Sequence, residues 1–97
     1  MDLEILRALR AVIDPELGID VVSLGLVYEA SREGDRARVV MTMTTPACPL
    51  GEAITRDARE AVETLVAGVR HAEVELVFEP PWSPDRMSPE ARAQLGA

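Results

Sequence analysis

The chain has 97 residues and a mass of 10.6 kDa, enough for one small domain with a thin two-layer core and too short for a second. Seventeen acidic residues against ten basic ones give a net charge of −7, which argues against nucleic acid or an anionic membrane as partner. All ten basic residues are arginine, so a lysine nucleophile is excluded, and the single cysteine, Cys48, rules out an intrachain disulfide and a four-thiolate metal site within one chain.

The first residues, Met1-Asp2-Leu3-Glu4, carry acids where a signal peptide carries positive charge, and the uncharged run from Val39 to Gly51 contains two prolines and is too short to span a bilayer. A soluble cytoplasmic protein is therefore expected. Leu3, Leu6, Leu9 and Ile13 stand near helical spacing with Val12 beside them, Asp2 can cap the helix, and Asp14-Pro15 is expected to end it. A loop from Asp14 to about Ser23 follows. Leu24, Leu26, Tyr28 and Ala30 alternate to Arg32. Ala37, Val39, Met41 and Met43 alternate against Arg38, Val40, Thr42 and Thr44, and Glu33-Gly34-Asp35 supplies the turn of a hairpin between the two runs.

Pro46 to Pro49 breaks the second strand. Leu50, Ala53, Ile54, Ala58, Ala61, Val62, Leu65 and Val66 then form one apolar helical stripe. Opposite-charge pairs Glu52/Arg56, Arg56/Glu60 and Arg59/Glu63 lie on the other face, and Gly68 is the stop. Val74, Leu76 and Phe78 alternate with Glu73, Glu75, Val77 and Glu79 in a third strand that has one solvated face. Pro80 to Pro84 makes a rigid loop, and Ser88-Pro89-Glu90 starts a short last helix. The order α-β-β-α-β-(α) predicts a single α+β domain over residues 1–97. It is a two-layer sandwich with helices on a three-stranded mixed sheet, whose third strand, reached through a helix, runs parallel to one hairpin strand.

Three places could carry chemistry. In Thr44-Thr45-Pro46-Ala47-Cys48-Pro49-Leu50 a strand turns into the long helix, with Cys48 expected at or near the N-cap and Pro49 at the first helical position. Unpaired N–H groups and the helix dipole favour a thiolate there, which is both nucleophile and metal ligand, and Thr44 and Thr45 can donate to a bound anion or sulfide. Against this, a free cysteine is often only a small buried hydrophobe. Asp14-Pro15-Glu16 offers two carboxylates for a metal or a partner, or Asp14 only stabilises its turn. Trp82 either covers a partner surface or packs its loop on the core. His71 reads as a surface residue unless the fold brings it to Cys48.

Asp14-Pro15-Glu16, Leu24-Gly25-Leu26-Val27-Tyr28, Met43-Thr44-Thr45-Pro46-Ala47-Cys48-Pro49 and Pro81-Trp82-Ser83 stand in this order over nearly the whole chain. Together they resemble the metal–sulfur cluster biosynthesis domain family, which includes SufT-type proteins, PaaD-like proteins of phenylacetate degradation and the eukaryotic cytosolic iron–sulfur targeting factor. The resemblance implies an iron–sulfur cluster assembly domain-like fold and a role in assembling clusters or transferring them to client apoproteins, without an established catalytic reaction. It implies that Cys48 is the family's recurrent cysteine and that Asp14, Glu16, Thr44 and Thr45 line its site. The chain has no cysteine-rich extension after the tail and no fused ATPase, so the minimal SufT-like form is expected.

A cluster takes about four ligands and one chain supplies one thiolate, so an iron–sulfur cluster here would be transient or shared between subunits, and the chain has a motive to form a homodimer. Expected partners are client iron–sulfur apoproteins and other assembly proteins. Two alternatives stand beside this: a non-catalytic adaptor that docks clients through Trp82 and the acidic surface, and a PaaD-like maturation factor for an aromatic-degradation oxygenase. A thiol enzyme using Cys48 ranks last, because no basic residue adjoins it.

Overall fold

The computed structural model describes residues 1–44 and 51–95. Its elements, in chain order, are α1 (Leu3–Leu9), β1 (Ile13–Asp14), β2 (Ile19–Asp20), β3 (Val27–Glu33), β4 (Arg36–Met41), α2 (Gly51–Leu65), β5 (His71–Leu76), a 3-10 turn (Pro84–Arg86) and α3 (Pro89–Gln94). The main sheet has the order β3-β4-β5, with β3 and β4 antiparallel and β4 and β5 parallel, as expected of a third strand returned by a helix. α2 lies against β5, and α1 packs on α2 and β3. The result is an α+β arrangement with helices on one face of a mixed three-stranded sheet. No helix among the described residues is long and apolar enough to cross a membrane.

β4 supplies the centre of the core. Ala37, Val39 and Met41 point inward with Met43 beyond them, against Ile54, Ala58, Val62 and Val66 of the α2 side. Arg36, Arg38 and Val40 face the other way, where Arg38 spans the strands from Glu29 (3.3 Å) to Glu75 (3.0 Å). The opposite-charge pairs expected along α2 are not closed among the described residues. Arg56 instead lies 3.9 Å from Asp57, and Glu63 reaches across to β5, where its Oε2 accepts the N–H of Ala72 (2.9 Å).

Three expectations are corrected. α1 ends at Leu9 instead of continuing to Asp14, and its buried residues are Ile5, Ala8 and Leu9, with Val12 beyond the helix end; Leu3 is 75% and Ile13 49% exposed. The cause is tertiary: the N–H of Val21 donates to the carbonyl of Val12 (3.0 Å), and Ile13–Asp14 pairs with Ile19–Asp20 in a small antiparallel hairpin where only a loop was expected. Strand alternation within that hairpin turns Asp14 inward and Ile13 outward.

Second, Leu24 and Leu26 are fully buried but belong to the turns before β3. A β-bulge between Val27 and Glu29 then puts Val27 and Ala30 on the inner face and takes Tyr28 out of the alternation. Third, β5 stops at Leu76, and Phe78 is exposed. The capping expectations hold. Asp2 Oδ1 accepts the N–H groups of Glu4 (3.0 Å) and Ile5 (3.1 Å), and Ser88 Oγ accepts that of Ala91 (3.1 Å).

Candidate functional site

β4 and β5 are parallel, so their carboxyl ends lie at one end of the sheet, and α2 begins there. This is the end at which open parallel sheets receive ligands. Thr42, buried after β4, donates its N–H to the carbonyl of Leu26 (2.8 Å), and Thr44 follows half-buried. Gly51, the first residue of α2, is packed so closely that a Cβ would stand 3.3 Å from Leu76 Cδ2 and 3.9 Å from Met43 Cγ. The backbone at the start of α2 therefore packs against Leu76, the last residue of β5, and Met43, just beyond β4. Thr45 and Cys48, together with the expected N-cap geometry around Pro46, Pro49 and Leu50, lie outside the described residues.

Asp14 is 4% exposed. Its Oδ1 accepts the N–H of Glu16 (2.8 Å) and of Leu17 (3.3 Å), and its carbonyl accepts that of Gly18 (2.7 Å). This is an Asx-type turn with Pro15 inside it, closed by Gly18 at φ +69°. Glu16 is exposed at the outside of the turn. α1 starts beside the far end of the main sheet, where the N–H of Asp2 donates to Ala30 (2.7 Å) and Arg32 reaches Glu4 (3.1 Å). The segment after it is tied to the near end, the N–H of Val21 donating to Val12 (3.0 Å), that of Leu26 to Val21 (3.0 Å) and that of Thr42 to Leu26 (2.8 Å). The Asp14 turn thus leaves α1 in the direction of the α2 N-terminus, the same end of the molecule as Thr44.

Trp82 is half-buried against the core, and its indole N–H donates to the carbonyl of Leu24 (2.7 Å). The chain beyond it is tied down by the N–H of Ser88, which donates to Ser23 (2.8 Å), and by burial of Met87 and Ala91. Gly25, at φ +76°, faces this tail so closely that a Cβ there would overlap the carbonyl group of Arg86. Two residues given no site role from sequence join the same surface. The Tyr28 hydroxyl donates to the carbonyl of Pro80 (2.7 Å), and the Arg86 guanidinium stacks over the Tyr28 ring at 4.6 Å. Tyr28 sits at the bulge in β3, and no local pattern around it announces these contacts.

His71 begins β5 in register with Arg36, the first residue of β4. The length of the strand, roughly 16 Å at ~3.3 Å per residue, separates it from the end that holds Thr44 and Gly51. The fold therefore brings Thr44, the α2 start and the Asp14 turn to one end, with the Trp82 tail docked on the 21–26 segment beside β3, and sets His71 apart. Among the described residues no group of three His, Cys, Asp or Glu side chains is placed to hold a metal.

The family model of the iron-sulfur cluster assembly protein matches residues 2–76. The chain is similar to the Fe-S protein maturation auxiliary factor SufT of Staphylococcus aureus, 43% identical over 88% of this chain and 97% of that one. It is also similar to an iron-sulfur cluster carrier protein of Deinococcus radiodurans, 49% identical over 74% of this chain but only 20% of the longer relative. A crystal structure of a domain of unknown function from Bacillus anthracis superposes with a TM-score of 0.92 at 44% identity, covering 97% of this chain and 90% of that one. With more than half its length matched and its fold shared at this identity, the chain belongs to the iron-sulfur cluster assembly protein family.

Proposed function

We propose that this chain is an accessory factor in the maturation of iron–sulfur proteins, and that it meets iron, sulfide or an assembled cluster through Cys48 while passing it to a client apoprotein. The observation that carries the reading is positional. The only thiol of the chain lies in sequence between Thr44, which follows β4, and Gly51, where α2 begins against Leu76 at the end of β5. As a general rule a helix start leaves N–H groups unpaired, and with the helix dipole these favour a thiolate, the form that binds iron.

The cluster is cargo in this reading. A cluster takes about four ligands, and one thiolate leaves the rest to a second copy, a client or a small thiol. Incomplete ligation suits release, and it assigns the chain no catalytic reaction of its own. Asp14 already spends Oδ1 on its turn, so Glu16, exposed beyond Pro15, is the carboxylate that reaches outward toward iron or partner. Thr44 and Thr45 would donate hydrogen bonds to sulfide.

The test is anaerobic reconstitution with ferrous iron and sulfide, comparing the wild type with Cys48→Ala by visible absorption, together with client maturation in cells carrying each form. The wild type is expected to develop a cluster chromophore and lose it to an apoprotein, and Cys48→Ala is expected to do neither. Undiminished client maturation with Cys48→Ala would overturn the thiol's role and favour an adaptor that binds clients without touching the cluster.

A further inference from the structure

The two edges of the main sheet are treated differently. The β3 edge is blunted: a bulge interrupts it at Val27/Glu29, and the N–H of Asp2 donates to the carbonyl of Ala30 (2.7 Å). The β5 edge is regular. His71 to Leu76 pair with β4 residue for residue, with no bulge and no proline. The N–H groups of His71 and Val77 donate to Asp35 and Met41, so alternation turns the N–H and C=O of Ala72, Val74 and Leu76 away from β4. Glu63 takes the N–H of Ala72 (2.9 Å). Among the described residues, Val74 has no backbone partner on that side. Beside it runs a cleft of about 190 Å³ between β5 and α2, with Val74 at its base and Glu52, Thr55, Arg56 and Arg59 along the helix wall.

We infer that this edge and cleft form a docking site for an extended segment of a partner protein, which adds to the sheet as a fourth strand and carries basic side chains on its solvent face. Strand addition of this kind draws affinity from main-chain bonds and specificity from alternate side chains. Here the solvent-face neighbours are Glu73 and Glu75, both exposed. Glu75 is shared with Arg38, whereas Glu73 has no ion-pair partner among the described residues. Arginine or lysine opposite Glu73 meets an unpaired carboxylate.

The same row argues against a second copy. Antiparallel pairing of two β5 strands about Val74 sets Glu73 of each opposite Glu75 of the other, and like charges directly opposed are destabilising. The inference does not depend on the role of Cys48.

The test is amide hydrogen exchange by NMR on the full chain, with an end-blocked peptide of alternating lysine and valine and a control of alternating glutamate and valine. At about nine times its Kd, the lysine peptide is expected to slow exchange at Val74 and Leu76 about tenfold, with the β3 amides unchanged. The glutamate peptide is expected to have no effect. Val74→Pro removes one outward N–H without touching the β4 ladder, a placement that edge strands tolerate, and is expected to abolish the protection read at the Leu76 amide while Trp82 fluorescence stays native. Glu73→Arg with Glu75→Arg is expected to transfer the preference to the glutamate peptide. Three results would overturn the proposal: no protection by the lysine peptide, protection that survives Val74→Pro, or protection that appears without peptide as the protein concentration rises, which would identify a second copy as the occupant.

Discussion

Gly25→Ala tests whether the tail is an integral part of the fold. Gly25 has φ +76°, a region where a side chain costs about 1–2 kcal/mol. Its missing Cβ is also occupied space, for a methyl group there would overlap the Arg86 carbonyl oxygen and lie 2.7 Å from both the Arg86 carbonyl carbon and Cβ. The oxygen and carbon belong to the backbone, so the clash can be relieved only by moving the tail. Moving it exposes Met87, now 7% exposed, at about 1.5–3 kcal/mol, and strains the Ser88–Ser23 and Trp82–Leu24 hydrogen bonds.

A total of roughly 3–4 kcal/mol is expected, a large share of the ~5–15 kcal/mol typical of a domain. Gly34→Ala is the control: its φ is +62° and a Cβ there meets nothing within 4 Å, so only the backbone cost of about 1–2 kcal/mol applies. Both variants would be unfolded in denaturant. Trp82, the sole tryptophan, reports the tail, and its emission should shift to the red in Gly25→Ala before global unfolding and not in Gly34→Ala. Equal losses of stability in the two variants, with native emission in both, would refute the reasoning.

Asp14→Ala leaves the N–H groups of Glu16 and Leu17 without their acceptor and is expected to cost about 1–3 kcal/mol, whereas Asp14→Asn keeps an acceptor oxygen and most of the stability, as the denaturation midpoint would show. If Asp14→Ala unfolds at the wild-type midpoint, the carboxylate is not what holds the turn. At Asp2, the N–H of Ile5 holds the carboxyl below the usual aspartate range. Burial pushes the other way, and Arg32 and the N–H of Glu4 add to the lowering. A folded-state pKa below the unfolded one means stability that is present above the ordinary aspartate pKa and lost as pH falls through the lowered value. Asp2→Asn, which still caps but does not ionise, should therefore be less stable than wild type at neutral pH and equal to it in strong acid. A difference that persists unchanged into strong acid would show that the charge is irrelevant.

Much of the architecture was legible because it rests on local rules. Asp2 and Ser88 cap the helices they precede, β4 alternates from Ala37 to Met41, where it ends short of the expected run with Thr42 buried beside Met43, and α2 carries Ile54, Ala58 and Val62 at helical spacing. The α2 connection implied a parallel β5, since a helix between strands returns the chain in the same direction. The motif order likewise pointed to the family before any fold was known. What failed was where a distant partner decides. Nothing in Arg10-Ala11-Val12 breaks a helix; the Val21 N–H takes Val12 out of it. Nothing near Tyr28 marks a bulge, which is settled by pairing with β4 and by the tail at Pro80 and Arg86.

The same division runs through the candidate site. Sequence alone determined that there is one thiol, set between a strand and a helix, with carboxylates flanking Pro15, because residue identity and order are all that such a statement needs. Tertiary structure decided that Asp14 spends Oδ1 on its own turn while Glu16 stays exposed, that His71 lies a strand's length from Thr44, and that Trp82 is held by Leu24. Each of these depends on a hydrogen bond or a register between segments far apart in the chain, and such contacts form only when the whole core closes.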